Sequence, residues 1–288
     1  MGDTTGQADL RAEVVDSVVK GFALQEYRLK QVCTVSRANG WIESYYQEDS
    51  TELTAMGVGS TIRGVPRLAA FPHGEPNWTK QSSYIDKYGM EGIVSWEDAL
   101  LDNIDVVART LLRIARAVAK SVDDQIYSVI SATASSILSG ASTAAWDAST
   151  YTNVDIALDV ARGKEAIGEF NYNVDGNSFI LLSPHDYASL QAWTYSKGAQ
   201  APRIAEEILG NGRVGTYMGL KVVVSNSVTA DQALIIVGGE AATWKEAVPL
   251  TTVTIPDAGI KYTIRSFELG VTQLTNPKAV YKITNTQT

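Results

Sequence analysis

Cysteine is almost absent: Cys33 is the single thiol in 288 residues, so the chain cannot close a disulfide with itself. Histidine is nearly as scarce. His73 lies in a Pro/Gly turn and His185 follows Pro184; neither stands beside a serine or cysteine nucleophile motif, and both read as non-catalytic. Cys33 also lacks a motif and reads as a small, semi-buried residue. No run of eighteen apolar residues occurs, which excludes a membrane-spanning helix. The first twenty residues are polar and mixed in charge, so no signal peptide is expected and a cytosolic setting is. Basic clusters are missing too. Twenty-four Lys and Arg against 32 Asp and Glu give a net charge of −8, with the cations dispersed among acids, which argues against a module that reads nucleic acid. No short-period repeat is visible, so solenoids and propellers are set aside.

What is present is a chain rich enough in apolar residues, at 45%, to fold around one large or two medium cores. It divides into five blocks. Residues 1–40 carry a short helical stripe, Val14, Val15, Val18, Val19 and Phe22, which must bury against something, a second subunit being one option. Residues 41–95 are punctuated by Gly57, Gly59, Gly64, Pro66, Pro72, Gly74 and Pro76, with a returning strand over 84–94. So extended a stretch makes a poor core and reads as a long protruding hairpin.

Residues 96–131 hold the clearest helix. Ser95 is a suitable N-cap, with Asp98 where a capping box carries Glu or Gln. Ile104, Val107, Ala108, Leu111, Ile114, Ala115, Val118, Val122 and Ile126 form one stripe, opposite Asp102, Asp105, Arg109, Arg113, Arg116 and Lys120. About 36 residues at about 1.5 Å each predict a rod of about 54 Å. Small polar residues occupy 132–152. Helix and strand alternate from 153 to 240: helices over 155–170, from Pro184 and over 203–209, and strands over 179–182, 219–224 and 233–237, a pattern of a compact α/β domain. Residues 241–288 alternate as strands that close the chain.

Three chemical patterns fail on context. Gly210-Asn-Gly212-Arg-Val-Gly215 matches a dinucleotide fingerprint as text, but follows a helix and precedes a strand, the reverse of what phosphate binding needs. Asn171-Tyr-Asn173-Val-Asp175-Gly176 resembles half a calcium loop; its twelfth position is Leu182 instead of a bidentate Glu, and Asp175-Gly176 reads as a hairpin turn. Asn77-Trp-Thr79 is a glycosylation sequon that would go unused without secretion. The acid pairs Glu97-Asp98, Asp123-Asp124 and Glu206-Glu207 are adjacent in sequence, point apart on a helix, and read as solvated faces. No catalytic, cofactor-binding or metal-binding residue is therefore assigned.

The order arm, hairpin, long helix, α/β domain, closing strands resembles the HK97-fold major capsid proteins of tailed bacteriophages and related viruses. Local sequence carries the resemblance. Ile93-Val-Ser-Trp-Glu-Asp-Ala-Leu-Leu-Asp102 is similar to the start of that family's spine helix, and Val122-Asp-Asp-Gln-Ile126 to its acidic end. Ser183-Pro-His-Asp-Tyr-Ala-Ser-Leu190 resembles a strand-to-helix junction in the axial domain, and Gly215-Thr-Tyr-Met-Gly-Leu-Lys-Val-Val-Val-Ser225 its following strand, with Ile236-Val-Gly-Gly239 after it. Arg265-Ser-Phe-Glu268 and Asn276-Pro-Lys-Ala-Val-Tyr-Lys-Ile283 resemble the closing strands.

The resemblance implies an α+β fold with an N-terminal arm (1–40), an E-loop hairpin (41–95), a P-domain on the spine helix (96–152), an A-domain (153–240) and closing strands of both domains (241–288). It implies a non-enzymatic shell subunit that self-assembles into hexamers and pentamers around double-stranded DNA, located in the virion and assembled in host cytoplasm. It further implies a portal at one vertex and a possible decoration protein. Without a long charged N-terminal extension, scaffolding is expected from a separate protein. An acidic inner wall would let packed DNA slide. The alternatives are an encapsulin-like nanocompartment, which shares the fold and holds enzymes, and a soluble α/β enzyme. Some members crosslink an E-loop lysine to a neighbour's asparagine. Lys80 and Lys87, with Asn226 and Asn276, are the residues on offer, but no dry pocket is marked and a non-covalent shell is expected.

Overall fold

The computed structural model describes residues 12–48, 66–68, 78–100, 104–132, 137–148, 154–196, 214–257 and 259–288. Helix α1 (Ala12–Glu26) is followed by a short 3-10 turn at Lys30–Val32 and strand β1 (Thr34–Arg37). Strands β2 (Ile42–Glu48) and β3 (Trp78–Tyr84) pair antiparallel, Ile42 opposite Tyr84 and Glu48 opposite Trp78. Then come β4 (Asp86–Ser95), α2 (Trp96–Leu100), α3 (Ile104–Ile130), β5 (Leu138–Ala141), α4 (Ile156–Gly168), β6 (Ser178–Leu182) and α5 (Pro184–Ser196). The chain ends with β7 (Thr216–Tyr217), β8 (Leu220–Val224), β9 (Gln232–Val237), β10 (Ala242–Asp257), β11 (Lys261–Leu274) and β12 (Val280–Thr284). Among the described residues the strands form a four-stranded sheet in the order β1-β10-β11-β4, a six-stranded sheet in the order β5-β12-β9-β6-β8-β7, and the separate β2–β3 pair.

Helix α2 follows β4 and packs on that strand, and α3 covers 27 residues, about 40 Å; residues 101–103 of the expected rod lie outside the described residues. The Ser95 cap holds: its hydroxyl accepts the Asp98 N–H at 3.1 Å. The apolar stripe of α3 serves two cores. Leu111, Ile114, Ala115 and Val118 pack with Val94 and Ile264 of the four-stranded sheet and with α1. Val122, Ile126 and Ile130 pack into the larger core around β6 and β9. One helix therefore couples both sheets. Gly92 of β4 permits the close approach, since a Cβ there would stand 2.7 Å from side-chain carbons of Ile114 and Thr110.

The N-terminal stripe finds its partner within the same chain. Val15, Val19 and Ala23 are buried against α3 and β10, while Val14 and Val18, also counted in the predicted stripe, face outward. Asp16 reinforces the contact by accepting the Thr252 N–H at 2.8 Å, just beyond the register shifts around Pro249, where β10 interrupts its ladder with β11. The segment Asp86–Ser95, read from sequence as the return of the hairpin, lies in the four-stranded sheet, paired along its length with β11.

The α/β pattern appears as expected over 156–196 and 216–237. Every residue of β6 is buried, as a central strand requires. Asp155 caps α4 through the Leu158 N–H at 3.1 Å. Residues 203–209 lie outside the described residues. Asp175-Gly176 sits in the turn from α4 to β6, so it is a helix-to-strand turn and not the hairpin turn expected. The tight hairpin lies further on, where Met218 and Gly219, both at positive φ, join β7 to β8 as a two-residue turn demands.

Candidate assembly surfaces

No catalytic constellation forms among the described residues. His185 is exposed at the first turn of α5, and His73 lies outside the described residues, as do Glu206, Glu207 and the Gly210-Asn-Gly212-Arg segment. Cys33 is buried, which pushes its thiol up to about 12, far from a reactive thiolate. Asn173 accepts the Asp175 N–H at 3.1 Å in a local turn, and Asp175 pairs with Lys164 of α4 at 2.6 Å. No group of three or more metal-ligating side chains occurs among the described residues. Glu97 and Asp98 begin α2, whose first turn favours acids.

The pair Asp123-Asp124 departs from the expected solvated face. Asp124 is paired with Lys120 at 2.8 Å, but Asp123 is buried and accepts the backbone N–H groups of Arg28, Leu29 and Lys30 at 2.8, 3.1 and 3.3 Å. It clamps the loop after α1 to the spine. Burial pushes its carboxyl up to about 6, against the pull of those three N–H donors. A second buried group escapes the sequence reading. Glu268 of β11 is fully buried and meets the Tyr27 hydroxyl, Lys30 Nζ and Trp244 Nε1, while Lys30 also reaches Glu246 at 3.0 Å. The inward alternation Ile264, Ser266, Glu268 is the signal that could flag it, because a carboxylate on the core side of a strand must have a cation nearby.

Both networks hold elements of one chain together. The β2–β3 pair exposes several large apolar side chains. Trp41, at its base, is 72% exposed and Tyr84 67%, with Ile42, Tyr46 and Trp78 also outward and Tyr46 tilted against Trp78 at 5.9 Å. Exposed aromatic side chains clustered on one small element mark a protein interface. A second patch lies on the far end of the four-stranded sheet. Ile93 is opposite Thr263, which is opposite Ile255, so all three share one face, with Val253 a step along and Ile260 at the tip, all four apolar residues exposed. Lys80 is exposed on β3, whereas Lys87 lies on β4 with its ammonium 4.6 Å from the centre of the Phe267 ring. Asn226 lines a cleft beside the spine and Asn276 precedes the Pro277–Ala279 turn.

Comparison with known proteins places this geometry. The sequence profile of the phage capsid protein family matches residues 79–283, and the chain belongs to that family. No curated protein matches it by sequence. Solved structures share the fold at low identity. A virus-like particle from Pyrococcus furiosus is similar with TM-score 0.62 at 13% identity over 94% of this chain and 98% of that one. The capsid of Cyanophage P-SCSP1u gives 0.63 at 14% identity over 90% and 88%. The major capsid proteins of Phage G, solved with decoration proteins, give 0.59 at 9% identity over 91% and 90%. The chain is accordingly a major capsid protein of the HK97 fold, a subunit of an icosahedral shell.

Proposed function

We propose that the subunit builds hexamers and pentamers through the β2–β3 hairpin and the sheet-end patch, closing a shell around double-stranded DNA inside a virion assembled in host cytoplasm. The observation that carries this is the exposed aromatic set Trp41, Tyr46, Trp78 and Tyr84 on an element with little core of its own. A two-stranded pair is marginal alone and gains most by lying on a neighbour. In this reading the hairpin serves as the E-loop, α3 with the four-stranded sheet as the P-domain, and the six-stranded sheet with α4 and α5 as the A-domain. Residues 1–40 form the arm, although α1 itself packs on the spine of its own chain. The role is structural and without catalysis, the buried carboxylates Asp123 and Glu268 being engaged in tying chain segments together. A separate scaffolding protein and a portal complete the assembly, and a decoration protein is compatible with it.

Negative-stain imaging of the purified protein, co-expressed with its scaffold, tests the reading. Closed shells or rings of five and six subunits are expected. Uniform monomer under all assembly conditions overturns it. Shells filled with a cargo enzyme instead of nucleic acid would point to the encapsulin-like alternative.

A further inference from the structure

The outward face of α3 carries a row of cations that the overall charge of −8 hides. Arg109, Arg113, Arg116 and Lys120 are all exposed on it, at steps of four, three and four residues that keep them on one side of the helix. They span about 16 Å at about 1.5 Å per residue. The row runs into a cleft of about 330 Å³ lined by Arg116, Lys120, Arg28, Ser225, Asn226 and Ser227, among others. Arg28 is exposed at its rim. Two of the row's cations hold partners, Arg116 with Glu26 and Lys120 with Asp124, each pair at 2.8 Å and each cation 60% exposed. Pairs this exposed are worth little and exchange readily. The other acid of the cleft, Asp123, is turned inward to the backbone of residues 28–30.

We propose that this track binds the phosphate backbone of packaged double-stranded DNA, without reading its sequence. Two features favour phosphate over an acidic protein. Three of the four cations on the helix are arginine, whose guanidinium meets phosphate oxygens in pairs. No large apolar side chain is exposed among the described residues of α3; the track is flanked by Ala108, Ala117 and Ser121. A protein partner needs a desolvated apolar anchor, which the hairpin has and this face lacks. The inference rests on the shell reading, since it supplies the DNA, and it adds to the expected acidic wall along which DNA slides a line of phosphate contacts on each spine.

The test uses unassembled full-length subunit and a labelled 20-base-pair duplex of arbitrary sequence, titrated across salt by fluorescence anisotropy. Each phosphate neutralised contributes about −0.9 to the slope of log K against log salt. With four cations in the row, wild type is expected to show a slope of about −3.6. Arg109→Gln with Arg113→Gln is expected to bind at least tenfold more weakly with a slope shallower by about two, while Arg109→Lys with Arg113→Lys retains the slope. Arg37→Gln, on edge strand β1, serves as a control that changes nothing. Circular dichroism verifies that each variant is folded, as these exposed positions predict. Equal affinity and slope for the wild type and the double Gln variant overturns the inference. So does tighter binding of polyglutamate than of a duplex of equal charge, which would make the track a dock for an acidic protein. Imaging the same preparations separates the two proposals. Shells formed by a double Gln variant that has lost duplex binding uphold both, and absence of shells from wild type strikes the assembly reading while the titration still decides this one.

Discussion

The spine helix and the hairpin are both elongated, yet their chemistry is opposite. Helix α3 buries its apolar side twice over, against the four-stranded sheet and against the six-stranded sheet, and shows cations outward. The β2–β3 pair shows its aromatic residues outward and buries little within the chain. Among its attachments to the rest of the chain, the Gln273 side-chain amide donates to the Ser83 hydroxyl at 2.9 Å. The first element is finished when the subunit folds. In the proposed assembly the second is completed on a neighbouring subunit. Folding stability and assembly strength are thus placed on different residues, and substitutions can address them separately.

The largest effect on folding is expected at Leu111, buried where α3 meets the four-stranded sheet. Leu111→Asp places an unpaired carboxylate in that core and should cost at least about 3 kcal/mol, giving insoluble protein. Arg113→Ala, two positions on and exposed, should leave the denaturant midpoint within about 0.5 kcal/mol of wild type. Equal tolerance of both would break the distinction between the two faces. The hairpin should behave in the opposite way. Trp41→Ala with Tyr84→Ala is expected to leave monomer stability within about 1 kcal/mol, because both side chains are already in solvent. Interface aromatics commonly contribute about 2 kcal/mol or more each, so the assembled fraction in sedimentation should fall more than tenfold at matched concentration. A variant that unfolds, or one that assembles normally, removes the hairpin from the interface.

This division is partly legible in the sequence. The apolar stripe of α3 is readable because steps of three and four, sustained from Ile104 to Ile126, match the turn of a helix and no strand period, and Ser95 marks where helix begins. Strands β6, β8 and β9 are visible as short apolar runs. What depends on distant partners is not legible. Asp86–Ser95 alternates like either hairpin arm or sheet strand, and only its pairing with β11 decides. The partner of α1 is equally hidden, since a stripe states that a face is buried and not by what. Asp123 reads as half of a solvated pair because three backbone amides from residues 28–30 leave no local signature. The cations of α3 read only as a polar face, and their isolation from apolar surface emerges with the exposure of their neighbours.

Asp123 gives the next effect in size; it joins the spine to the loop at the foot of α1. Asp123→Ala strands three backbone N–H donors, a loss of about 1–3 kcal/mol, read as a lowered denaturant midpoint. Its pH dependence has a definite sign. The folded carboxyl lies at about 6, above its ordinary value of 3.8, chiefly through burial. A raised pKa means that the folded state holds the proton more tightly, so this contribution is fully present below about pH 4 and is lost as pH rises through about 6. Between about pH 4.5 and 7 the Asp123 contribution should therefore decline in wild type and be flat in Asp123→Asn. The difference between their melting temperatures tracks it; a difference independent of pH would show a carboxylate ionised throughout.

The smallest expected effect concerns Cys33, which follows the Lys30–Val32 turn and is buried in the larger core. Desolvation first, and the Asp123 carboxylate second, push its thiol up to about 12, so at neutral pH the thiolate fraction is vanishingly small. Cys33→Ala removes one sulfur from a packed site and should cost about 1 kcal/mol, without altering assembly. The sharper measurement is chemical. A thiol-disulfide reagent should leave the native subunit unmodified over hours at about pH 7.5 and react at once in denaturant. Prompt reaction in the native state would mean that the loop clamped by Asp123 opens on that timescale. The boundary between finished and unfinished parts of the subunit would then lie at Arg28 instead of at the hairpin base.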